Sequence, residues 1–398
     1  MNLIIHDLNE EEWNKVSSEY SGWEVISYSD KIKPCAGCFG CWIKSPGECV
    51  IKDGYDKMGA LIHKADEVVV ISRYTYGGFS SFVKNVFDRS IGWVLPFFEI
   101  HEGEMHHKRR YPEDKSITFI FRGNDLSEED KEDAKKYVAA VCRNFRGIVK
   151  EVRFEEAIGA DGDISERHCV KDNSAATKTD TKSVTKNNHK KVILLNGSMR
   201  GDKANSKHFL DRLSKDINGD VESINLSQYI NKQDELVEIL SSAGKIVLGF
   251  PLYVDGVPSQ MLKIMEKLEK TNPQTGVKIY SVINMGFYES SQIKNALKQI
   301  KNWCRKSGYE YCGGVAIGAG EMVGQFTKTP KGSKNPGKNA FDGLDRLSET
   351  INEAAKLEDI YADSYLFPRA LYMLAANFGW PASGKQNGLK KKDLLRTI

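Results

Sequence analysis

The feature that most constrains this fold is a pair of matching stretches, one in each half of the chain. Ala65–Arg89, ADEVVVISRYTYGGFSSFVKNVFDR, aligns with Ala243–Leu268, AGKIVLGFPLYVDGVPSQMLKIMEKL, with a one-residue slip that sets Lys84 against Lys263. Each stretch reads as an apolar run, a loop with an aromatic residue and glycine, then helical spacing. The apolar runs are continuous rather than alternating, which suits parallel strands buried on both faces. A repeat of this kind at corresponding places points to a duplicated α/β domain. Two such halves can face one another in an internal pseudo-dimer.

The rest of the chain fits that frame. Strands are predicted at Asn2–His6, Trp23–Tyr28, Glu67–Ser72 and Ser116–Arg122, then at Lys191–Asn196, Val221–Leu226, Lys245–Phe250, Lys278–Asn284 and Gly313–Ile317. The stretches between them have helical spacing, and strand–helix alternation argues for parallel sheets covered by helices. Residues 171–191 are rich in Lys, Thr, Asn and Asp, with only Ala and Val as apolar types. Such a segment buries too little surface to offset its ordering entropy and reads as a flexible linker. The expected organisation is a domain over 1–160, a polar linker over 161–190, a second domain over 191–360 and a helical extension over 361–398.

Composition excludes several classes. The net charge is +3, from 57 basic and 54 acidic residues. That balance gives no case for a nucleic-acid-coating surface. No apolar run approaches the ~20 residues that span a bilayer, and the start MNLIIHDLNEEEW lacks a signal peptide's basic and apolar regions. A cytoplasmic protein without nucleic-acid or membrane partners is expected. Its eight cysteines then read as reduced thiols rather than disulfides.

Val192–Leu195 leads into Asn196-Gly197-Ser198-Met199-Arg200-Gly201-Asp202-Lys203-Ala204-Asn205-Ser206 and a helix. A strand ending in such a loop at a helix N-terminus is a ready anion site. Ser198 and Ser206 offer hydroxyls, Arg200 a guanidinium fork, and Asn205 an amide or helix cap. The loop is neither a Walker A nor a GxGxxG motif. It resembles the first loop of the NADPH-dependent FMN reductase family, flavodoxin-like proteins whose G-S-x-R…S loop surrounds the FMN phosphate. Pro251-Leu252-Tyr253-Val254 is similar to the family's P-x-Y loop, and Asn284-Met285-Gly286-Phe287 takes the place of its third flavin loop. The resemblance covers most of 191–320. In the first half the corresponding loop reads His6-Asp7-Leu8-Asn9-Glu10-Glu11-Glu12, whose acidic residues would repel phosphate.

Cys35, Cys38, Cys41 and Cys49 fall within fifteen residues, separated by glycines that allow tight turns. Four thiolates can hold an iron–sulfur cluster or zinc; reduced thiols or a dithiol pair are the plainer alternatives. The segment KPCAGCFGCW resembles the compact cysteine motif of iron–sulfur flavoproteins, which carry a [4Fe–4S] cluster beside FMN. His106-His107 reads as a solvated loop.

Together these resemblances imply two flavodoxin-like doubly wound domains in tandem, with the Cys loop of the first facing the FMN of the second. The implied function is an FMN-dependent NAD(P)H oxidoreductase. It would pass electrons from the nicotinamide cofactor to a small-molecule or protein acceptor, with the cluster, where one forms, as a relay. An electron carrier or redox sensor without turnover is the alternative, and a further homo-oligomer is open.

Overall fold

The computed structural model describes residues 1–28, 31–157, 191–271 and 276–398. The expected linker over 161–190 lies outside the described residues.

In the first half the order is β1 (Leu3–His6), α1 (Glu10–Val16), β2 (Glu24–Ile26), α2 (Gly40–Ile43), α3 (Met58–Lys64), β3 (Val68–Arg73), α4 (Ser81–Asp88), β4 (Val94–His101), β5 (Glu104–Arg109), β6 (Ser116–Arg122), α5 (Glu128–Phe145) and β7 (Ile148–Glu155). Five strands form a parallel sheet in the order β2-β1-β3-β6-β7. β4 and β5 stand apart as an antiparallel hairpin. With that hairpin set aside, the order is 2-1-3-4-5, the flavodoxin arrangement.

The second half repeats it. β8 (Val192–Asn196), α6 (Asn205–Ser214), β9 (Val221–Asn225), α7 (Gln233–Ser241), β10 (Lys245–Pro251), α8 (Ser259–Lys270), β11 (Lys278–Asn284), α9 (Lys294–Ser307), β12 (Glu310–Ile317), α10 (Gly320–Val323), α11 (Lys338–Asn352) and β13 (Ile360–Ala362) follow in sequence. The six-stranded parallel sheet runs β13-β12-β11-β10-β8-β9, again 2-1-3-4-5 with one added edge strand. The extension holds α12 (Arg369–Gln386) and α13 (Lys391–Leu394). Among the described residues no helix is long and apolar enough to cross a membrane.

The two halves meet through their repeated stretches. α4 packs on α8, and each helix start takes a partner from the other helix. Ser81 donates its amide and hydroxyl to the Glu266 carboxylate, at 3.4 and 2.9 Å. Reciprocally, Ser259 donates its amide to Asp88 at 3.0 Å and its hydroxyl to Asn85 at 3.2 Å. The carboxylates complement the positive helix ends. The two loops form matching tight turns, bridged at Thr75–Gly78 and Tyr253–Gly256. Tyr137 of α5 and Gln299 of α9 press on both glycines. A Cβ at Gly78 would lie 2.4 Å from Gln299 Nε2, and one at Gly256 2.8 Å from Gln299 Oε1. This reciprocity is the geometry of an isologous dimer interface, built here within one chain.

Candidate functional site

A cavity of about 450 Å³ opens at the carboxyl ends of the second sheet's strands. Four loops supply that side: Arg200 after β8, Pro251–Asp255 after β10, Asn284–Phe287 after β11 and Glu321 after β12. β8 and β10 flank the point where the strand order reverses, the crevice in which open α/β sheets bind their ligands. The other wall comes from the first half: Cys35, Gly37, Phe39 and Trp42 of the Cys loop, and Phe98 and His107 of the β4–β5 hairpin. α12 roofs the space with Tyr372, Ala376 and Trp380.

Tyr253 joins the walls. Its turn places Val254 and Asp255 at φ 43° and 56°, left-handed conformations that ordinary residues resist. A Cβ on Gly37 would lie 1.9 Å from Tyr253 Oη and 3.6 Å from Arg200 Cγ. The Cys loop therefore seats directly on the β8 and β10 loops. Lys84, fully buried, pairs with Asp88 and donates to the Tyr253 carbonyl at 2.6 Å. Burial pushes its ammonium pKa down, against the opposing pull of Asp88. Asp255 accepts from Asn144 Nδ2 at 2.8 Å, and burial pushes its carboxyl up to about 6.

Nine of the twelve expected flavin residues line the cavity: Arg200, Pro251, Leu252, Tyr253, Val254, Asn284, Met285, Gly286 and Phe287. Ser198, Asn205 and Ser206 do not; the two serines are engaged within the loop. Ser198 Oγ accepts the Arg200 amide at 3.3 Å, and Ser206 donates to Asn196 Oδ1 at 2.7 Å. Asn205 is not the helix cap; Ala204 holds that place without a side-chain bond. Arg200 pairs with Glu321 at 3.3 Å, so an entering phosphate would compete with an internal carboxylate. On β11's end, Asn284 Oδ1 is buried without a hydrogen-bond partner and its residue lines the cavity. An orphaned acceptor there fits the imide N–H of a flavin ring, and the apolar walls fit its faces.

In the first half the corresponding place is filled from within. The Asp7 carboxylate, past the end of β1, accepts the Arg73 amide at 3.0 Å. Glu10–Glu12 form the first turn of α1 under a capping box from Asn9. The acidic residues that looked repulsive to phosphate are thus helix-starting residues, and Asp7 is buried against the end of β3.

The Cys loop wraps Arg89, which donates to Lys33 O at 2.7 Å, Ile51 O at 3.1 Å, the Asp53 carboxylate at 2.8 Å and Cys49 Sγ at 3.2 Å. Burial raises the Cys35 thiol to about 12 and the Cys41 thiol well above its ordinary value, and neighbouring sulfurs raise both. The four thiols therefore share one neighbourhood. Yet among the described residues no group of three or more His, Cys, Asp or Glu side chains is arranged to hold a single metal ion.

The histidine pair corrects its solvated-loop expectation. His106 is buried on β5. His107 lines the cavity between Trp42, Phe98 and Phe287. Burial holds it neutral, its pKa pushed down to about 3. Adjacent strand residues point to opposite faces, yet both rings reach Phe287, at centroid distances of 5.5 and 5.2 Å. The hairpin was missed from sequence; the helix of the C-terminal extension was expected, but not its place over the cavity. The aromatic spacing Tyr372 to Trp380 was the available signal for the roof.

No family model matches the chain. Two curated relatives do match in part. One is an iron–sulfur flavoprotein of Methanocaldococcus jannaschii, 36% identical over 78 residues, covering 19% of this chain and 39% of that protein. The other is an iron–sulfur flavoprotein of Archaeoglobus fulgidus, 36% identical over 82 residues, covering 20% and 34%. The chain resembles iron–sulfur flavoproteins. It spans little more than a third of the length of either relative. Among solved structures, an azoreductase from Bacillus anthracis is similar with a TM-score of 0.29 and 16% identity, over 41% of this chain and 99% of that one. A flavodoxin from Streptococcus pneumoniae gives 0.31 and 15%, over 42% and 99%.

Proposed function

We propose that this protein is an FMN-dependent oxidoreductase whose single flavin site lies in the cavity between its halves. The observation that carries the reading is the convergence of four strand-end loops of one half with the Cys loop of the other around Tyr253. FMN, when bound, supplies hydride and single-electron chemistry, and the protein supplies position and electrostatics. Arg200 would meet the phosphate after leaving Glu321. Asn284 Oδ1 would accept from the ring's imide, and the backbone of the Val254–Gly256 and Gly286 loops would border the ring. The aromatic roof would cover part of the ring's exposed side. NAD(P)H is the proposed electron donor and a small molecule or protein the acceptor. The Cys loop is the second redox element. A [4Fe–4S] cluster on Cys35, Cys38, Cys41 and Cys49 is the occupant favoured by the iron–sulfur flavoprotein likeness, and the loop would have to draw its sulfurs together to hold it.

Anaerobic purification tests the reading. One FMN per chain, bleached by NAD(P)H under argon, is expected. Iron and acid-labile sulfide, lost in a Cys35/Cys38 double replacement, are expected with it. A protein that takes up no FMN on titration sinks the assignment; one that binds FMN without iron removes only the cluster.

A further inference from the structure

We propose that the outer face of α12 and the basic tail behind it dock this protein on an anionic lipid surface. The inference is independent of the flavin reading, and it departs from the sequence expectation of no membrane partner. Peripheral docking requires no spanning helix.

Two observations coincide in the last 35 residues. Of the ten large apolar side chains exposed among the described residues, five lie there: Leu366, Leu371, Leu374, Phe378 and Leu395. Leu366 is 82% exposed and Phe378 72%. The same residues, 364–398, carry six basic side chains against one aspartate, a net +5 in a chain of total +3, so the remainder is −2. Lys385, Lys390, Lys391 and Lys392 are all exposed.

The geometry aligns the two. At 3.6 residues per turn, Leu371, Leu374, Phe378 and Lys385 fall within an arc of roughly 60°. The opposite arc, with Tyr372, Ala376 and Trp380, faces the cavity. The helix cannot roll its apolar stripe inward, because its inner face is fixed. Tyr372 donates to Gly286 O at 2.5 Å, and Asn377 brackets the Phe98 backbone at 2.7 and 3.0 Å. A helix held in place that presents protruding apolar side chains, followed by the lysine cluster Lys390–Lys392, offers a lipid interface side chains to insert and its anionic headgroups a basic patch.

A second copy of the chain fits less well. The four most exposed of these side chains, Leu366, Leu371, Leu374 and Phe378, offer on the order of 500 Å², below the roughly 800 Å² per partner of a stable interface. An isologous contact would also set a +5 segment against its own copy.

The test uses the full chain and vesicles of phosphatidylcholine alone or mixed three to one with phosphatidylglycerol. Cosedimentation should be at least about tenfold stronger on the mixed vesicles. Leu374→Ser with Phe378→Ser should weaken it about tenfold, as should Lys390, Lys391 and Lys392 replaced together by Gln. Ile148→Ser, an exposed apolar residue on β7, should leave it unchanged, and thermal melts check that each variant folds. Equal binding to both vesicles overturns the proposal. So does binding that survives the Leu374/Phe378 change, which would leave charge alone and suit an acidic partner. A lipid-free dimer in light scattering that the same change dissolves also overturns it, in favour of a second copy.

Discussion

Replacing Gly37 with alanine probes the contact on which the composite site depends. Gly37 sits at φ 62°, where a Cβ costs about 1–2 kcal/mol. The added methyl would also lie 1.9 Å from Tyr253 Oη and 3.2 Å from its Cζ. Something must shift, and overpacking of that kind costs about 1–3 kcal/mol. The single change should therefore destabilise by about 2–5 kcal/mol in urea unfolding. The two contributions can be separated. Tyr253→Phe removes the atom at 1.9 Å and leaves the ring carbon at 3.2 Å, a tight contact that a shift of a few tenths of an ångström relieves. In that background Gly37→Ala should cost only the backbone part, so a coupling of about 1–3 kcal/mol is expected. Weaker FMN binding should accompany the single change, because the Tyr253 loop borders the proposed ring site. Additivity of the two substitutions to within ~0.5 kcal/mol would show that Gly37 and Tyr253 do not touch and that the halves are not docked as described.

Other expectations follow from the same contacts. Lys84→Met leaves Asp88 buried without its cation and should cost about 3–5 kcal/mol, partly restored by adding Asp88→Asn, as read by denaturant midpoints. Asp255, at about 6 when folded, binds a proton more tightly folded than unfolded. Its contribution is therefore most favourable below pH ~4 and is lost as pH rises through 6, by about 3 kcal/mol. Wild type minus Asp255→Asn stability, measured from pH 4 to 7, should fall along that course; a flat difference would remove the buried-carboxyl argument. Glu321→Gln frees Arg200 from its partly exposed pair and should tighten FMN about two- to fivefold, with fluorescence titration as the check. Asn284→Ala should weaken FMN about tenfold, and unchanged affinity would show that its orphaned carbonyl is not the ring's partner.

Much of the architecture was legible along the chain. The runs at Lys278–Asn284 and Ser116–Arg122 coincide with β11 and β6, because continuous apolar stretches bounded by polar loops leave parallel strands little alternative. The β4–β5 hairpin was not read. Its strands mix Pro, His, Lys and Arg with apolar residues, and their pattern depends on packing against the second half and α12. β7 was missed because its residues are mostly exposed or half-buried, so it lacks the apolar run that marked its neighbours.

The same division holds at the site. Local order fixed the loops after β8, β10 and β11, since strand, turn residue and helix start are contiguous and each dictates its own backbone. It could not say that Ser198 and Ser206 are bound within their own loop, that Glu321 meets Arg200, or that Gly37 lies under Tyr253. The serine bonds are local but depend on how the loop closes on itself; the other two contacts join residues far apart in sequence. The contact of Gly37 with Tyr253 exists only because two sheets of the same order pack α4 against α8 with reciprocal caps. The sequence determined the duplicated fold through short-range periodicity; the packing of one half on the other decided which loops share a cavity, because burial and opposite charge act across space and not along the chain.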